Sequence, residues 1–289
     1  MENANDLVGS HASAIARTCR VGVQEKEKQN PESSAMIATP SVLVAFPYWR
    51  ESMRTVLSGK DWVLDSGAFT AHNQGTPIRL MDYVRFAKGV IESEARPSMV
   101  FALDVIGDAA LSYANARAMW REGIKAIPTW HAGGELDALR RIAGEFPRIA
   151  IGGLAGRGAG GRGSRYSSEQ KKRHIERAFS AVWPKWIHGF GVTTASLLDR
   201  FPFASVDSTS WILSPRGFGR WRGFKANLRV RGPDRVGYAK EIAYYSQLQE
   251  RHRAVWRRDL GKVNELPFTI KLACGSIQEL RHVLQGHTN

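Results

Sequence analysis

Eight short apolar segments, separated by helix-like segments, limit the possible folds of this chain more than any other feature. Each apolar segment is bounded by turn-forming residues, which is typical of strands that are buried on both faces of a parallel sheet. The predicted strands are Ser41–Trp49, Trp62–Phe69, Met99–Val105, Lys125–His131, Arg148–Leu154, Trp186–Val192, Ala204–Trp211 and Phe268–Gly275. The clearest predicted helices are Leu80–Glu94, Asp108–Glu122, Glu135–Phe146 and Ser167–Val182.

This alternation predicts an α/β fold, and a single (β/α)8 TIM barrel has eight strands in a domain of about 250 residues. A doubly wound open sheet is the alternative, although no GxGxxG follows the first predicted strand. We expect a barrel catalytic domain over residues 39–289. Residues 1–38 are polar and rich in Ala and Ser, which predicts a poorly ordered N-terminal arm. Capping-box patterns occur at Ser167 with Gln170 and at Ser276 with Glu279.

The charge balance is unusual, with 41 Lys and Arg against 27 Asp and Glu and a net charge of +14. Such an excess favours a polyanionic partner, chiefly nucleic acid, although a basic surface without a partner is the alternative. The two cysteines, Cys19 and Cys274, show no pairing or zinc-binding pattern, which fits a reducing cytoplasm. No apolar run approaches the roughly 20 residues of a membrane span, and a signal-peptide pattern is missing, so we expect no membrane partner.

Two segments rich in Arg and Gly interrupt the alternation: Gly156–Tyr166 after the fifth predicted strand and Ser214–Arg235 after the seventh. In a barrel both are loops on the C-terminal face, where active sites form. Cations that meet phosphates and rings that stack on bases are typical of a nucleic-acid groove, and a solvated basic loop is the alternative. The predicted nucleic-acid contacts are Arg157, Arg162, Arg165, Arg216, Arg220, Trp221, Arg222 and Lys225.

Ionisable residues occupy the ends of several predicted strands: Asp65, Asp104 and Asp207 on the second, third and seventh, and His131 on the fourth. Carboxylates are rarely buried without a partner or a purpose, and parallel strand ends converge on one mouth of a barrel. Glycines at neighbouring strand ends leave room for a flat ligand: Gly152, Gly153 and Gly189. Divalent metal binding and glycosyl transfer both suit such a set, and spacing alone does not choose between them.

Five short motifs, in the same order, resemble those of the tRNA-guanine transglycosylases. They are LDSGAF at residues 64–69, HAGG at 131–134, IGGLAG at 151–156, HGFGV at 188–192 and SVDST at 205–209. The first resembles the family's DSGGF, the second falls where the family has QGG, and the third resembles its IGGLAVG. The fourth is similar to its MGVG strand, and the fifth lies where the family has its nucleophilic Asp. The resemblance covers about half of the chain, from Trp62 to Trp211.

The resemblance implies a (β/α)8 barrel that exchanges a guanine of nucleic acid for a 7-deazaguanine through a covalent Asp-glycosyl intermediate, without a cofactor. In that reaction Asp207 is the nucleophile at C1′, and Asp65 is the general acid and base for the departing and incoming bases. Asp104 reads the amino and imino edge of the base. The other implied base-pocket residues are Ser66, His131, Gly152, Gly153 and Gly189.

The chain departs from the tRNA enzymes in lacking their CxCxxC…H zinc site, so no metal is expected. It also has Ala68 for their second Gly and Thr70 for their Gln. It looks more like the DpdA-type DNA-guanine transglycosylases of bacteria and phages, which insert 7-cyano-7-deazaguanine or its relatives into DNA. We therefore expect DNA as partner, in the cytoplasm of a bacterium or a phage-infected host, and a helicase or ATPase is a further candidate partner. The alternatives are a zinc-free tRNA-guanine transglycosylase, a non-catalytic nucleic-acid-binding barrel subunit and a metal-dependent hydrolase.

Overall fold

The computed structural model describes residues 41–154, 166–213, 235–261 and 268–284. Every predicted strand occurs in it, in the predicted order, although most are shorter than expected. The strands are β1 Ser41–Ala45, β2 Trp62–Asp65, β3 Met99–Val100, β4 Thr129–His131, β5 Arg148–Gly152, β6 Trp186–Gly189, β7 Ser205–Ser208 and β8 Thr269–Cys274.

Helices lie between the strands and confirm the four predicted ones to within a few residues at each end. They are α1 Ser52–Leu57, α2 Ala68–Gln74, α3 Leu80–Ile91, α4 Ala109–Arg121, α5 Leu136–Glu145, α6 Ser168–Val182, α7 Ala195–Leu198, α8 Ser210–Leu213, α9 Arg235–Leu260 and α10 Ile277–Leu284. The capping box of α6 is confirmed, because the Ser167 hydroxyl accepts the Gln170 N–H and the Gln170 side chain accepts the Ser167 N–H. At α10 the Ser276 hydroxyl accepts the Glu279 N–H, while the Glu279 carboxylate accepts the N–H of Gly275.

The eight strands form one parallel, curled sheet in the order β3-β2-β1-β8-β7-β6-β5-β4. Neighbours in the sheet are neighbours in sequence, apart from the pairing of β1 with β8, so the order lacks the switch point of a doubly wound sheet. The two outer strands approach one another through an isolated parallel bridge between Phe101 and Ile127. Across this seam, Ala102 N–H donates to Ile127 O at 2.9 Å, and Ile127 N–H donates to Val100 O at 2.8 Å.

Apolar side chains cover both faces of the sheet. Alternate residues of β1 and β2 belong to different clusters: Val42 and Leu64 pack outward against helices, whereas Leu43 and Val63 face inward. This two-sided burial explains why the strands read as nearly continuous apolar runs. The inner cluster fills the space that the sheet encloses and consists of Leu43, Val63, Phe101, Ile127, Ala150, Trp186 and Ala204.

Helix α9 packs against the sheet, and its Gln249 side chain accepts the N–H of Ile270 on β8 at 2.9 Å. None of the helices in the described ranges is long and apolar enough to cross a lipid bilayer. Residues 1–40, 155–165 and 214–234 lie outside the described residues. The predicted N-terminal arm and nearly all of the two Arg- and Gly-rich loops fall there.

Candidate active site

The side chains predicted from the strand ends occupy one edge of the sheet. Asp65 and His131 are the last residues of β2 and β4, Asp207 lies near the end of β7, and Asp104 shortly follows β3. Because all strands are parallel, these positions share the C-terminal edge, which is the edge that carries the active site in α/β barrels. The contacts below divide them into three parts.

Asp104 and His131 form the first part, on opposite sides of the seam between β3 and β4. Asp104 Oδ2 lies 2.7 Å from His131 Nε2, and Asp104 Oδ1 accepts a long hydrogen bond of 3.4 Å from the Ser66 hydroxyl. Both side chains of the closer pair are partly exposed. The structure therefore brings together three residues of the predicted base pocket, of which Asp104 and His131 are partly exposed and Ser66 is buried.

Asp65 forms the second part, at the start of the turn between β2 and α2. Its Oδ2 accepts the N–H of Gly67 at 3.0 Å. Gly67 has a φ of 76°, and a Cβ at this position would overlap the ring of Pro47, so only glycine fits. Asp65 thus makes the turn that its sequence suggests and also presents a carboxyl group at the strand end.

The environment of Asp65 changes its protonation near neutral pH. Burial raises the pKa of Asp65 to about 7; the Asp104 and Asp207 carboxylates add to the rise, and the Gly67 N–H opposes it. A carboxyl group with such a pKa can hold a proton and release it at neutral pH, as a general acid and base must. Strong perturbation of this kind is typical of functional sites.

Asp207 forms the third part, on β7. Its Oδ1 accepts the N–H of Gly191, in the turn after β6, at 2.7 Å. This hydrogen bond holds the carboxylate, and because the side chain is 10% exposed, it still reaches the surface of the site. A fixed, ionisable oxygen at the mouth of the sheet is the arrangement that a carboxylate nucleophile needs.

His188 on β6 is the residue of this site that sequence reasoning missed. It is fully buried, and its Nε2 lies 3.5 Å from Asp207 Oδ1. Its Nδ1 lies 2.8 Å from the hydroxyl of Ser205. Burial lowers the pKa of His188, and the neighbouring Asp207 opposes that shift. The only sequence signal was a polar residue inside an otherwise apolar strand.

The predicted glycines occupy two kinds of position. Gly152 lies beside His131, and a Cβ there would come within 2.8 Å of the Thr129 side chain, so the backbone passes close to its neighbours. A Cβ at Gly153 would lie 3.4 Å from the His131 Cβ, so this glycine also lies against His131. Gly189 instead meets Phe203 of the outer core, so its missing side chain faces away from the inner surface of the sheet.

The eight predicted nucleic-acid contacts lie outside the described residues. Within the described ranges, no group of three or more His, Cys, Asp and Glu side chains is arranged to hold a metal ion. The chain matches no protein-family model, and no curated protein matches its sequence. What the site does is therefore inferred from its own residues and from the motifs that they form.

Proposed function

We propose that this protein is a base-exchange transglycosylase that replaces guanine in DNA with a 7-deazaguanine through a covalent intermediate on Asp207. One observation carries the proposal: a carboxyl group with a pKa of about 7, Asp65, shares a strand-end site with a second carboxylate, Asp207, that backbone N–H donation holds in place. The five motifs that resemble the guanine transglycosylases contain both residues.

In the first half of the proposed reaction, an Asp207 oxygen attacks C1′ and the bond between C1′ and the guanine nitrogen breaks. The departing guanine takes the proton that Asp65 holds. In the second half, the incoming base gives its ring N–H proton to Asp65, and the freed nitrogen attacks C1′ and releases Asp207. Protons balance over the cycle, and a pKa near neutrality lets Asp65 serve in both directions.

Recognition of guanine is assigned to Asp104. The amino and imino N–H groups of guanine are donors, and a carboxylate is an acceptor that can take both. The hydrogen bond from Ser66 and the contact with His131 orient the Asp104 carboxylate. A base that lacks these donors would leave the carboxylate unpaired, which is a strong basis for discrimination.

DNA is the proposed substrate because the net charge is +14 and because the zinc-site motif of the tRNA enzymes is missing from the sequence. The target base must leave the helical stack to reach carboxylates at the strand ends. We also infer that the sheet closes as a (β/α)8 barrel, since β1 pairs with β8 and the bridge between Phe101 and Ile127 spans the remaining seam.

The test is the exchange of labelled guanine into plasmid DNA and, in parallel, into bulk tRNA. We expect label in DNA with the native chain and none with Asp207→Ala. The matched control is Asp137→Ala, which removes a carboxylate that is 88% exposed on α5 and should leave exchange unchanged. Mass spectrometry of the chain after reaction with DNA should locate the glycosyl adduct on Asp207.

Label in tRNA alone would replace the DNA proposal with the zinc-free tRNA enzyme. Label in neither nucleic acid, or an Asp207→Ala variant as active as the native chain, would overturn the proposed reaction.

A further inference from the structure

A buried histidine ring with one unpaired nitrogen lies directly beside the proposed nucleophile. His188 is 0% exposed, and its ring contacts Phe101 and Phe190 at centroid distances of 4.6 and 4.7 Å. Among the described residues, Nε2 has no hydrogen-bond partner of good geometry. Leaving a buried N–H unpaired is costly, so a hydrogen-bond partner for Nε2 is expected. The nearest candidate is Asp207 Oδ1, at 3.5 Å.

The contacts of the ring indicate which nitrogen carries the proton. Nε2 faces the acceptor-only Asp207 carboxylate at 3.5 Å, so a proton on Nε2 makes this contact attractive. Nδ1 then offers a lone pair, and the Ser205 hydroxyl, 2.8 Å away, donates to it. The backbone fixes this alignment, because His188 and Ser205 are register partners on β6 and β7.

Among the described residues, the charged groups that act on the ring are Asp207 and, from β8, Lys271. Burial is the larger influence and lowers the pKa of His188, so the ring is neutral at physiological pH. A neutral ring that carries its proton on Nε2 donates to the carboxylate without forming an ion pair with it.

We propose that His188 is a positioning residue for Asp207, with a neutral imidazole that directs its Nε2–H at Oδ1 and leaves Oδ2 as the attacking oxygen. This inference rests on the proposed role of Asp207. The Gly191 N–H already donates to the same Oδ1, so both described donors act on one oxygen. Catalytic hydrogen bonds are often long before substrate binds and shorten in the reacting complex, which fits the 3.5 Å contact.

An apolar side chain would fill the space between two phenylalanines at a lower desolvation cost than an imidazole. Two variants separate packing from hydrogen bonding. His188→Leu keeps apolar contact but has no donor, and His188→Gln carries an amide N–H that can take the place of Nε2–H.

We expect His188→Leu to slow formation of the Asp207 adduct by about 10- to 100-fold, the usual effect of losing a hydrogen bond to a charged group. The KM for the incoming base should change little, because Asp104 lies in a different part of the site. His188→Gln should stay within about 5-fold of the native rate. His72→Gln, on the exposed side of α2, is the control. Equal losses in the Leu and Gln variants, or a fully active Leu variant, would overturn the inference.

A second measurement needs neither substrate nor activity. Imidazole ¹⁵N NMR of the full chain, with the His188 signals assigned by their loss in His188→Gln, should show a neutral ring with its proton on Nε2 between pH 7 and 8. Asp207→Asn should move the Nε2–H signal. A proton on Nδ1, or an Nε2–H signal whose position is the same in the native chain and in Asp207→Asn, would overturn the inference.

The two measurements also separate this inference from the proposed function. If the native chain exchanges no base but shows the expected Nε2–H signal and its response to Asp207→Asn, the proposed reaction is overturned and the hydrogen bond from His188 to Asp207 is supported. If the native chain exchanges guanine but carries the proton on Nδ1, the reaction is supported and the hydrogen bond is overturned.

Discussion

The two ends of the sheet differ in how their buried charged side chains are paired. At the N-terminal end, the almost fully buried Lys271 on β8 donates to Ser41 Oγ at 2.9 Å and to Asp61 Oδ2 at 3.1 Å. The Ser98 hydroxyl, just before β3, donates to Asp61 Oδ1 at 2.6 Å. At the C-terminal end, Asp65, Asp104 and Asp207 gather, and among the described residues histidines rather than lysines or arginines contact the latter two.

The pKa values follow this difference. Burial alone would raise the pKa of Asp61, but the Lys271 ammonium and the neighbouring hydroxyls outweigh it, and the net shift is downward. Burial of Asp65 is reinforced by two other carboxylates, and its pKa rises to about 7. Strongly shifted pKa values are typical of functional sites. The comparison therefore separates the end where the described charges are paired, called the structural end below, from the end that carries the proposed reaction, called the reactive end.

The largest expected effect is the loss of guanine exchange when Asp65 at the reactive end is replaced. Asp65→Asn removes the proposed acid and base, and such groups contribute roughly 10²- to 10⁴-fold to a rate. We expect guanine exchange to fall by that factor while the protein stays folded, as measured by exchange kinetics and thermal unfolding. Asp137→Asn on α5 should have the native rate. Full activity of Asp65→Asn would show that its raised pKa has no role in the reaction.

The next largest effect is a loss of stability when the ion pair at the structural end is broken. Asp61→Asn leaves Lys271 buried without its counter-charge, and we expect the free energy of unfolding to fall by about 3 kcal/mol. This is the low end for a broken buried pair, because the Asp61 side chain is 52% exposed. Urea unfolding measures it. The double variant Asp61→Asn with Lys271→Met should recover most of the loss, and a double variant as unstable as the single one would contradict the assignment.

The pH dependence of stability tests the raised pKa of Asp65 at the reactive end. The folded protein binds the Asp65 proton more tightly than the unfolded chain does, since the pKa rises from 3.8 to about 7. The stability from this proton is fully present below pH 3.8 and is lost as pH rises through 7. From pH 5 to pH 8, the native chain should lose about 2 to 3 kcal/mol relative to Asp65→Asn. Parallel pH profiles of urea unfolding would contradict this expectation.

The smallest effect tests how complete the balance is at the structural end. Ser98→Ala removes one hydroxyl donor to Asp61 and leaves Lys271 in place, so we expect a loss of about 1 kcal/mol or less. Guanine exchange should not change. A loss as large as that of Asp61→Asn, or a change in exchange rate, would show that the two ends are coupled.

Sequence reasoning found the strands and helices but placed several strand ends too late. The predicted strand Ser41–Trp49 ends at Ala45, because the chain turns into a short 3₁₀ helix over Phe46–Tyr48 that contains Pro47. The predicted strand Trp62–Phe69 ends at Asp65, because the left-handed Gly67 starts α2. A continuous apolar run has no alternation to mark where a buried strand stops.

The three Asp residues of the site were predictable because strand ends in a parallel sheet share one edge. The contact of His188 with Asp207 was not, because it depends on the register between β6 and β7. One polar residue in the segment HGFG does not show which side chains face inward or what they contact. The pKa of Asp65 was also beyond the sequence, since it depends on burial and on the approach of Asp104.

The seam between β3 and β4 runs through the candidate site, so contacts in the site also help to join these two strands. A bridge at Phe101 and Ile127 joins these strands, and the contact of Asp104 with His131 spans the same gap on the side-chain level. A base bound to the Asp104 carboxylate, as proposed, would share that carboxylate with His131 and so act on this second contact across the seam. If a base binds as proposed, the backbone amides of Ala102 and Ile127, which hydrogen-bond across the seam, should be the first whose hydrogen exchange changes.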